Sequence, residues 1–289
     1  MKDDIFTIME YKASSFSKGQ RLIAKYITEA YDKAAFMTAS RLGKIVGVSE
    51  STVVRFAVEL GFDGYPSMQK AMQEMVLNRL TSVQRIGVAN DRLGNQDVLS
   101  MVLQADADKL HQTGDLIDRR DFRTAVEAIL GAKRIYILGV RSAAALAEFM
   151  GYYLNFMFDN VHIITSSGDS EMFEKLVNVG SEDVVVAFSF PRYSSLVAKG
   201  ALFCRNAGAS VIALTDSRLS PLGTVSDCVL LAKSDMVSLV DSLVAPLSVV
   251  NALLVALAAE KEQVLSQIFD SLEKIWEEYN VYEKQVDGK

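Results

Sequence analysis

Residues 37–61 read MTASRLGKIVGVSESTVVRFAVELG, two short amphipathic segments joined through Gly47, Val48 and Ser49. Ala39, Leu42, Ile45 and Val46 recur at helical spacing from about Thr38 to Val46, and Val53, Phe56, Ala57 and Leu60 do so from Glu50 to Leu60. Gly47 supplies the positive-φ conformation a sharp turn requires, Val48 fills the angle between the helices, and Ser49 caps the second. Two helices crossing steeply through such a turn make a helix-turn-helix, whose second helix fits the DNA major groove. With Leu42, Ile45 and Val46 packed under Val53, Ala57 and Leu60, the outer face presents Ser51, Thr52, Arg55 and Glu59. Arg55 suits a guanine edge or a phosphate, Ser49, Ser51 and Thr52 lie at the helix start that points at the groove, and Arg41 and Lys44 reach the DNA backbone. A helical hairpin with a merely solvated charged face is the alternative reading.

The flanks read as further helices. Ser17 three residues before Gln20 is a capping-box pattern, followed by Leu22, Ile23, Tyr26, Ile27 and Ala30 on one face. After Gly61, turns at Asp63-Gly64 and at Pro66 precede a fourth helix. Residues 1–80 thus form a helical domain, and 81–105 a linker whose first part holds Gly87, Asn90, Gly94 and Asn95. Helical stretches follow at about 97–113 and 121–130.

From there short apolar runs alternate with helical segments: Arg134 to Leu138, His162 to Thr165, Asp183 to Phe188, Ser210 to Thr215 and Cys228 to Leu231. That alternation predicts an α/β domain over 106–289, a doubly wound, five-stranded parallel sheet covered on both faces. No internal repeat or low-complexity tract interrupts it.

A chain of 289 residues, half of them hydrophobic and 23% charged, has enough apolar mass for two ordinary domains. Its net charge of −6 is unevenly shared. Residues 1–85 hold 12 Lys or Arg against 9 Asp or Glu, a net of +3, and the remainder holds 18 against 27, a net of −9. A basic head on an acidic body fits one end meeting a polyanion. The start MKDDIFTIMEYK lacks the basic and apolar regions of a signal peptide, which predicts a cytoplasmic protein. The most apolar stretch, Met236 to Ala259, is interrupted by Asp241, Pro246 and Asn251, and reads as a buried helix with no membrane association. Cys204 and Cys228 each sit in an apolar segment with no Cys-x-x-Cys spacing, as reduced core thiols do.

Ligands of open parallel sheets bind beyond the carboxyl ends of the strands. The loop after the first run places Gly139, Arg141 and Ser142 at a helix start, and the loop after the third brings Ser189, Arg192, Ser194 and Ser195 to the same edge. Hydroxyls and guanidinium groups at helix N-termini suit a phosphate or another anion. That Ser142 and Ser194 are simply helix caps stays open.

Both halves resemble one family, the RpiR-type transcriptional regulators, which join a helix-turn-helix to a sugar isomerase (SIS) domain. The stretches that carry the resemblance are 35–69 (AFMTASRLGKIVGVSESTVVRFAVELGFDGYPSMQ), 137–156 (ILGVRSAAALAEFMGYYLNF), 184–222 and 238–254. The resemblance implies a regulator that binds operator DNA through its head and senses a phosphorylated sugar in its SIS domain. It also implies that Ser142 and a Ser-x-Ser-Gly-x-Thr-like loop hold the sugar phosphate; Ser189 and Ser194 match the ends of that loop. Pro191 stands where the second Ser is usual, Arg192 where Gly is, and Arg141 where small residues are common.

The rival expectation is a sugar-phosphate isomerase, which needs a base beside the phosphate loops. His111 precedes the sheet, His162 opens a strand, the helix from Pro246 to Ala258 has no carboxylate, and the spacing of Glu148 and Glu171 does not single them out. A sensor without catalysis is therefore expected. The loop after the first run has one Gly and no Gly-x-Gly-x-x-Gly, so no nicotinamide cofactor is expected, and no metal-ligand cluster is present. Apolar surface in AEFMGYYLNFMF and LVAPLSVVNALLVALAA beyond the needs of one sheet face predicts a homo-oligomer, dimer or tetramer, through the SIS domain.

Overall fold

The computed structural model describes residues 5–79, 97–166, 168–234 and 240–282. The chain divides into two compact units, one built on Met1–Met101 and the other on Val102–Asp235 and Asp241–Lys289. Of the linker expected at 81–105, residues 81–96 lie outside the described residues, and 98–105 are instead the first turns of a helix that runs to Leu116.

The first unit holds α1 (Ile5–Lys12), α2 (Lys18–Glu29), the single turn α3 (Tyr31–Ala34), α4 (Ala39–Val46), α5 (Glu50–Glu59) and α6 (Tyr65–Arg79). The Ser17–Gln20 capping box is formed in both directions, which fixes where α2 begins. Ile23, Ile27, Leu42, Val53, Phe56 and Met68 close the core of this unit without contact to water. Two expected core residues fall outside it: Leu22 is exposed on α2, and Ile45 is 48% exposed because the inner face of α4 is taken by Ala39, Leu42 and the half-buried Val46. Helix α6 starts one residue before Pro66, in whose first-turn position the missing N–H forfeits no helical bond.

The second unit holds α7 (Val98–Leu116), α8 (Arg119–Gly131), β1 (Arg134–Gly139), α9 (Ala144–Leu154), β2 (Val161–Ile164), α10 (Asp169–Leu176), β3 (Asp183–Phe188), α11 (Ser195–Asn206), β4 (Ser210–Thr215), β5 (Cys228–Leu231), α12 (Val244–Glu260) and α13 (Glu262–Tyr279). The five strands are all parallel, in the order β2-β1-β3-β4-β5. The two-residue period splits the strand side chains between the faces. Ile135, Ile137, Val184, Val186, Ile212 and Leu230 pack against α8, α9 and α12; Tyr136, Leu138, Val185, Ala187, Val211 and Val229 pack against α10 and α11. Every residue of β3 is buried, which is why that strand reads as an unbroken apolar run.

Cys204 and Cys228 are buried free thiols, on opposite faces of the sheet, and burial pushes each pKa up to about 12. Among the described residues, no single helix is long and apolar enough to cross a membrane.

Candidate functional site

In the head, Gly47 ends α4 with φ 78°, and its N–H and that of Val48 both donate to Gly43 O. Thr38 caps α4 and Ser49 caps α5, accepting from Thr52 N–H at 3.2 Å. The same Ser49 Oγ lies 2.9 Å from Ser51 Oγ and 2.8 Å from Thr52 Oγ1, a hydroxyl cluster at the amino end of α5. Arg41, Lys44, Ser51 and Arg55 are exposed, and Arg55 Nε donates to Ser51 O at 3.3 Å, which holds the guanidinium stem along the helix. Thr52 is half-buried on the side that meets Gly19 of α2, so the centre of the outward face is Ser51, Val54, Arg55 and Val58. Val54 and Val58, 38% and 56% exposed, are the members that side-chain polarity alone passes over. An open groove of about 970 Å³ between α1 and α2 has mostly apolar walls, and the Arg21 at its rim already donates to Phe16 O.

In the second unit, the connections reverse direction between β1 and β3, and in such sheets ligands bind outside the carboxyl ends of those two strands. Gly139 pairs with Phe188 across that junction, which sets the loops containing Ser142 and Ser189 side by side. A Cβ on Gly139 would come within 2.6 Å of Ala143 O and 2.9 Å of Ala147 Cβ, so this glycine lets the turn at 141–143 close over the strand end. Its contribution to the site is room.

Ser194 is the N-cap of α11, accepting from Val197 N–H at 3.3 Å, while its own N–H donates to the buried Ser189 Oγ at 3.2 Å. Ser142 caps nothing: it lies in a 3-10 turn ahead of α9, is exposed, and donates to Asp241 Oδ2 at 3.3 Å. The capping alternative therefore holds for Ser194 and fails for Ser142.

Arg141 and Arg192 have φ 60° and 56°, and among the described residues the one other non-glycine in that region is Asn280. A non-glycine held there costs roughly 1–3 kcal/mol, a strain that concentrates at functional positions. Tyr193, beside Arg192, donates to Asp216 Oδ1 at 2.8 Å, which ties the loop after β3 to the loop after β4. Sequence reasoning missed both Asp216 and Asp241. Asp216 directly follows β4, a position that by itself signals the ligand edge; Asp241 reaches Ser142 from 99 residues away and carries no local signal.

Neither candidate histidine belongs to these loops. His162 lies in β2 and stacks on Tyr136 at 4.8 Å, His111 is exposed on α7, and the exposed Glu171 receives a 2.7 Å bond from Lys175 that lowers its pKa and keeps it ionised.

Both units match known domains: residues 4–78 match the helix-turn-helix domain of the rpiR family and residues 128–256 match the SIS domain. The chain belongs to the RpiR family of transcriptional regulators. An uncharacterised HTH-type transcriptional regulator of Clostridium perfringens is 26% identical over 213 residues, covering 73% of this chain and 75% of that one. The sugar isomerase domain of an RpiR transcription factor from Sphaerobacter thermophilus superposes with TM-score 0.59 at 28% identity, covering 62% of this chain and 99% of that one. The Vibrio vulnificus NanR protein, solved in complex with ManNAc-6P, shares the fold over 94% of this chain and 97% of its own, with TM-score 0.58 and 22% identity. Family and geometry agree that this is a DNA-binding regulator with a helix-turn-helix head and an α/β SIS domain.

Proposed function

We propose that residues 1–80 bind operator DNA, 81–105 link, and 106–289 sense a phosphorylated sugar at the β1/β3 edge. The observation that carries this reading is the pair of arginines, Arg141 and Arg192, held in left-handed backbone beside Ser142, Ser189 and Ser194 at the sheet's ligand-binding junction. Arg192 occupies the glycine position of the family loop and keeps a glycine's backbone, so the loop geometry survives the substitution and a cation is added to it. Ser142, Ser189 and the two guanidinium groups take the phosphate; Gly139 and Ser194 shape the loops that present them. That NanR was solved with ManNAc-6P is a property of NanR; the ligand class here rests on this chain's own cations and hydroxyls.

In the head, Arg55 and Ser51 read base edges, Arg41 and Lys44 hold phosphates, and Ser49 with Thr52 sets the start of the reading helix. We read the chain as a sensor without catalysis: neither histidine belongs to the ligand loops, Glu171 is an ionised surface carboxylate, and the two carboxylates at that edge are engaged, Asp241 with Ser142 and Asp216 with Tyr193. It works in the cytoplasm as a homodimer.

The test is a thermal-shift screen of the whole chain against sugar phosphates and their unphosphorylated parents, since a ligand of the native state raises the melting point. A hit that needs the phosphate and vanishes in Ser142→Ala and Ser189→Ala is the expected result. A shift that survives both substitutions places the ligand elsewhere.

A further inference from the structure

Ser142 has one hydroxyl proton, and it is committed to Asp241 Oδ2 at 3.3 Å. A phosphate seated on Ser142 needs that same proton, and it would bring a second negative group against the half-buried Asp241 carboxylate. Carboxylate and phosphate therefore compete for one seat.

The segment carrying Asp241 is bolted to α7 by polar contacts that a change at Asp241 must strain. Ser242, the next residue, donates to Asp106 Oδ1 at 2.6 Å, and the same oxygen receives the buried Lys109 Nζ at 3.3 Å. Buried Ser234 donates to Ser242 O at 2.9 Å, and Lys233 N–H donates to the buried Thr113 Oγ1 at 2.9 Å. Asp106, Lys109 and Thr113 are successive positions on one face of α7, the helix that follows the linker from the head, and Ser242 leads within two residues into α12. Lys109 is buried with its ammonium bonded to Asp106 Oδ1 and Ala105 O, so this cluster has little freedom to absorb a shift of Ser242 locally.

We propose that Asp241 is a tethered anion that holds the effector's phosphate seat on Ser142, and that its expulsion by the phosphate is passed through Ser242, Asp106 and Lys109 to α7. The inference rests on the reading that Ser142 receives a phosphate. It gives the regulator a mechanical input: the same event that fills the site pulls on the helix leading to the DNA-binding head, and each ligand shifts the equilibrium only by what it gains in the released state.

The experiment is a titration of the full chain with inorganic phosphate, by calorimetry, on the natural protein, Asp241→Asn and Ser142→Ala. Asp241→Asn keeps shape and a hydrogen-bond acceptor but removes the charge, and is expected to tighten phosphate binding by roughly tenfold or more, the scale of one like-charge contact near a protein surface. Ser142→Ala is expected to abolish binding. Natural protein that binds while Asp241→Asn binds equally or more weakly overturns the tethered-anion role and leaves the sensing function intact; no binding by either protein, together with a blank sugar-phosphate screen, overturns both. Hydrogen exchange reads the second half: phosphate is expected to raise amide exchange across residues 104–113 in the natural protein and to leave it unchanged in Ser242→Ala. Exchange there that ignores phosphate in the natural protein overturns the relay to α7.

Discussion

At φ 56°, Arg192 sits where a side chain crowds its own backbone and glycine does not. A chain under selection for stability alone would place glycine there, so the arginine marks a position where stability is given up for a contact. Comparing Arg192→Gly with Arg192→Ala isolates the backbone term, because both variants lose the guanidinium and everything it touches. The glycine variant is expected to be more stable than the alanine variant by about 1 kcal/mol, some 2–4 °C in melting temperature for a domain of this size. Both are expected to bind sugar phosphate more weakly than the natural protein. Scanning calorimetry checks the first expectation and the thermal-shift screen the second; equal melting points for the two variants would show that the loop relaxes without glycine.

At the scale of single elements, α5 combines two demands on neighbouring residues, and substitution separates them. Ser49 Oγ accepts from Thr52 N–H and anchors the hydroxyl cluster, so Ser49→Ala is expected to cost about 1 kcal/mol of head stability. Arg55 is exposed and its one bond among the described residues is to Ser51 O, so Arg55→Ala is expected to leave the stability within about 0.5 kcal/mol of the original. On a duplex selected from a random pool, the same change is expected to weaken binding by about 1–3 kcal/mol if Arg55 reads a base, or to reduce the salt slope by about one if it holds a phosphate. Unchanged affinity at matched salt would remove α5 as the reader. Much of this element was legible in sequence, because Ser17 with Gln20, Gly47 with Ser49, and Gly61 are local signals whose meaning does not depend on the rest of the fold. The strands were legible for a related reason: burial on both faces leaves short unbroken apolar runs, and β3, β4 and β5 begin and end where the runs do. Helix α1 was not expected, since IFTIMEYK has no clean apolar stripe; it packs Ile5 and Met9 into the core of the head. Left-handed arginines and the Ser142–Asp241 contact were equally out of reach, one because residue type argues against the conformation and the other because the two residues meet only when the sheet is assembled.

Over the whole molecule, the residues expected to mediate self-association divide into two groups. Most apolar positions of α9 and α12, among them Leu146, Met150, Leu154, Val250, Leu253 and Leu257, are spent on the sheet of their own chain. What remains is a surface of rings and aliphatics: Tyr152 and Tyr153 on α9, Val255 on α12, and α13, an amphipathic helix with no buried residue among those described. Phe156 bridges these groups, its ring 5.2 Å from Tyr152 and 5.5 Å from Phe269 of α13. An amphipathic helix of 18 residues draws its stability from burying its apolar face, and in the proposed homodimer a second copy of the chain would supply such a cover with the twofold symmetry that paired helix-turn-helix heads use to span half-sites one DNA turn apart. Tyr152→Asp and Val255→Asp change side chains that are 59% and 69% exposed, so each is expected to leave the monomer fold intact while placing an unpaired charge in the dimer contact. Light scattering at micromolar concentration is expected to give a dimer mass for the natural chain and a monomer mass for the double variant. The double variant's operator affinity should fall by orders of magnitude while its phosphate titration stays unchanged, because the proposed seat draws its residues from one chain and the reading of two half-sites requires two. A natural chain that runs as a monomer at that concentration would remove the dimer, and with it any mechanism in which the effector changes the spacing of paired heads.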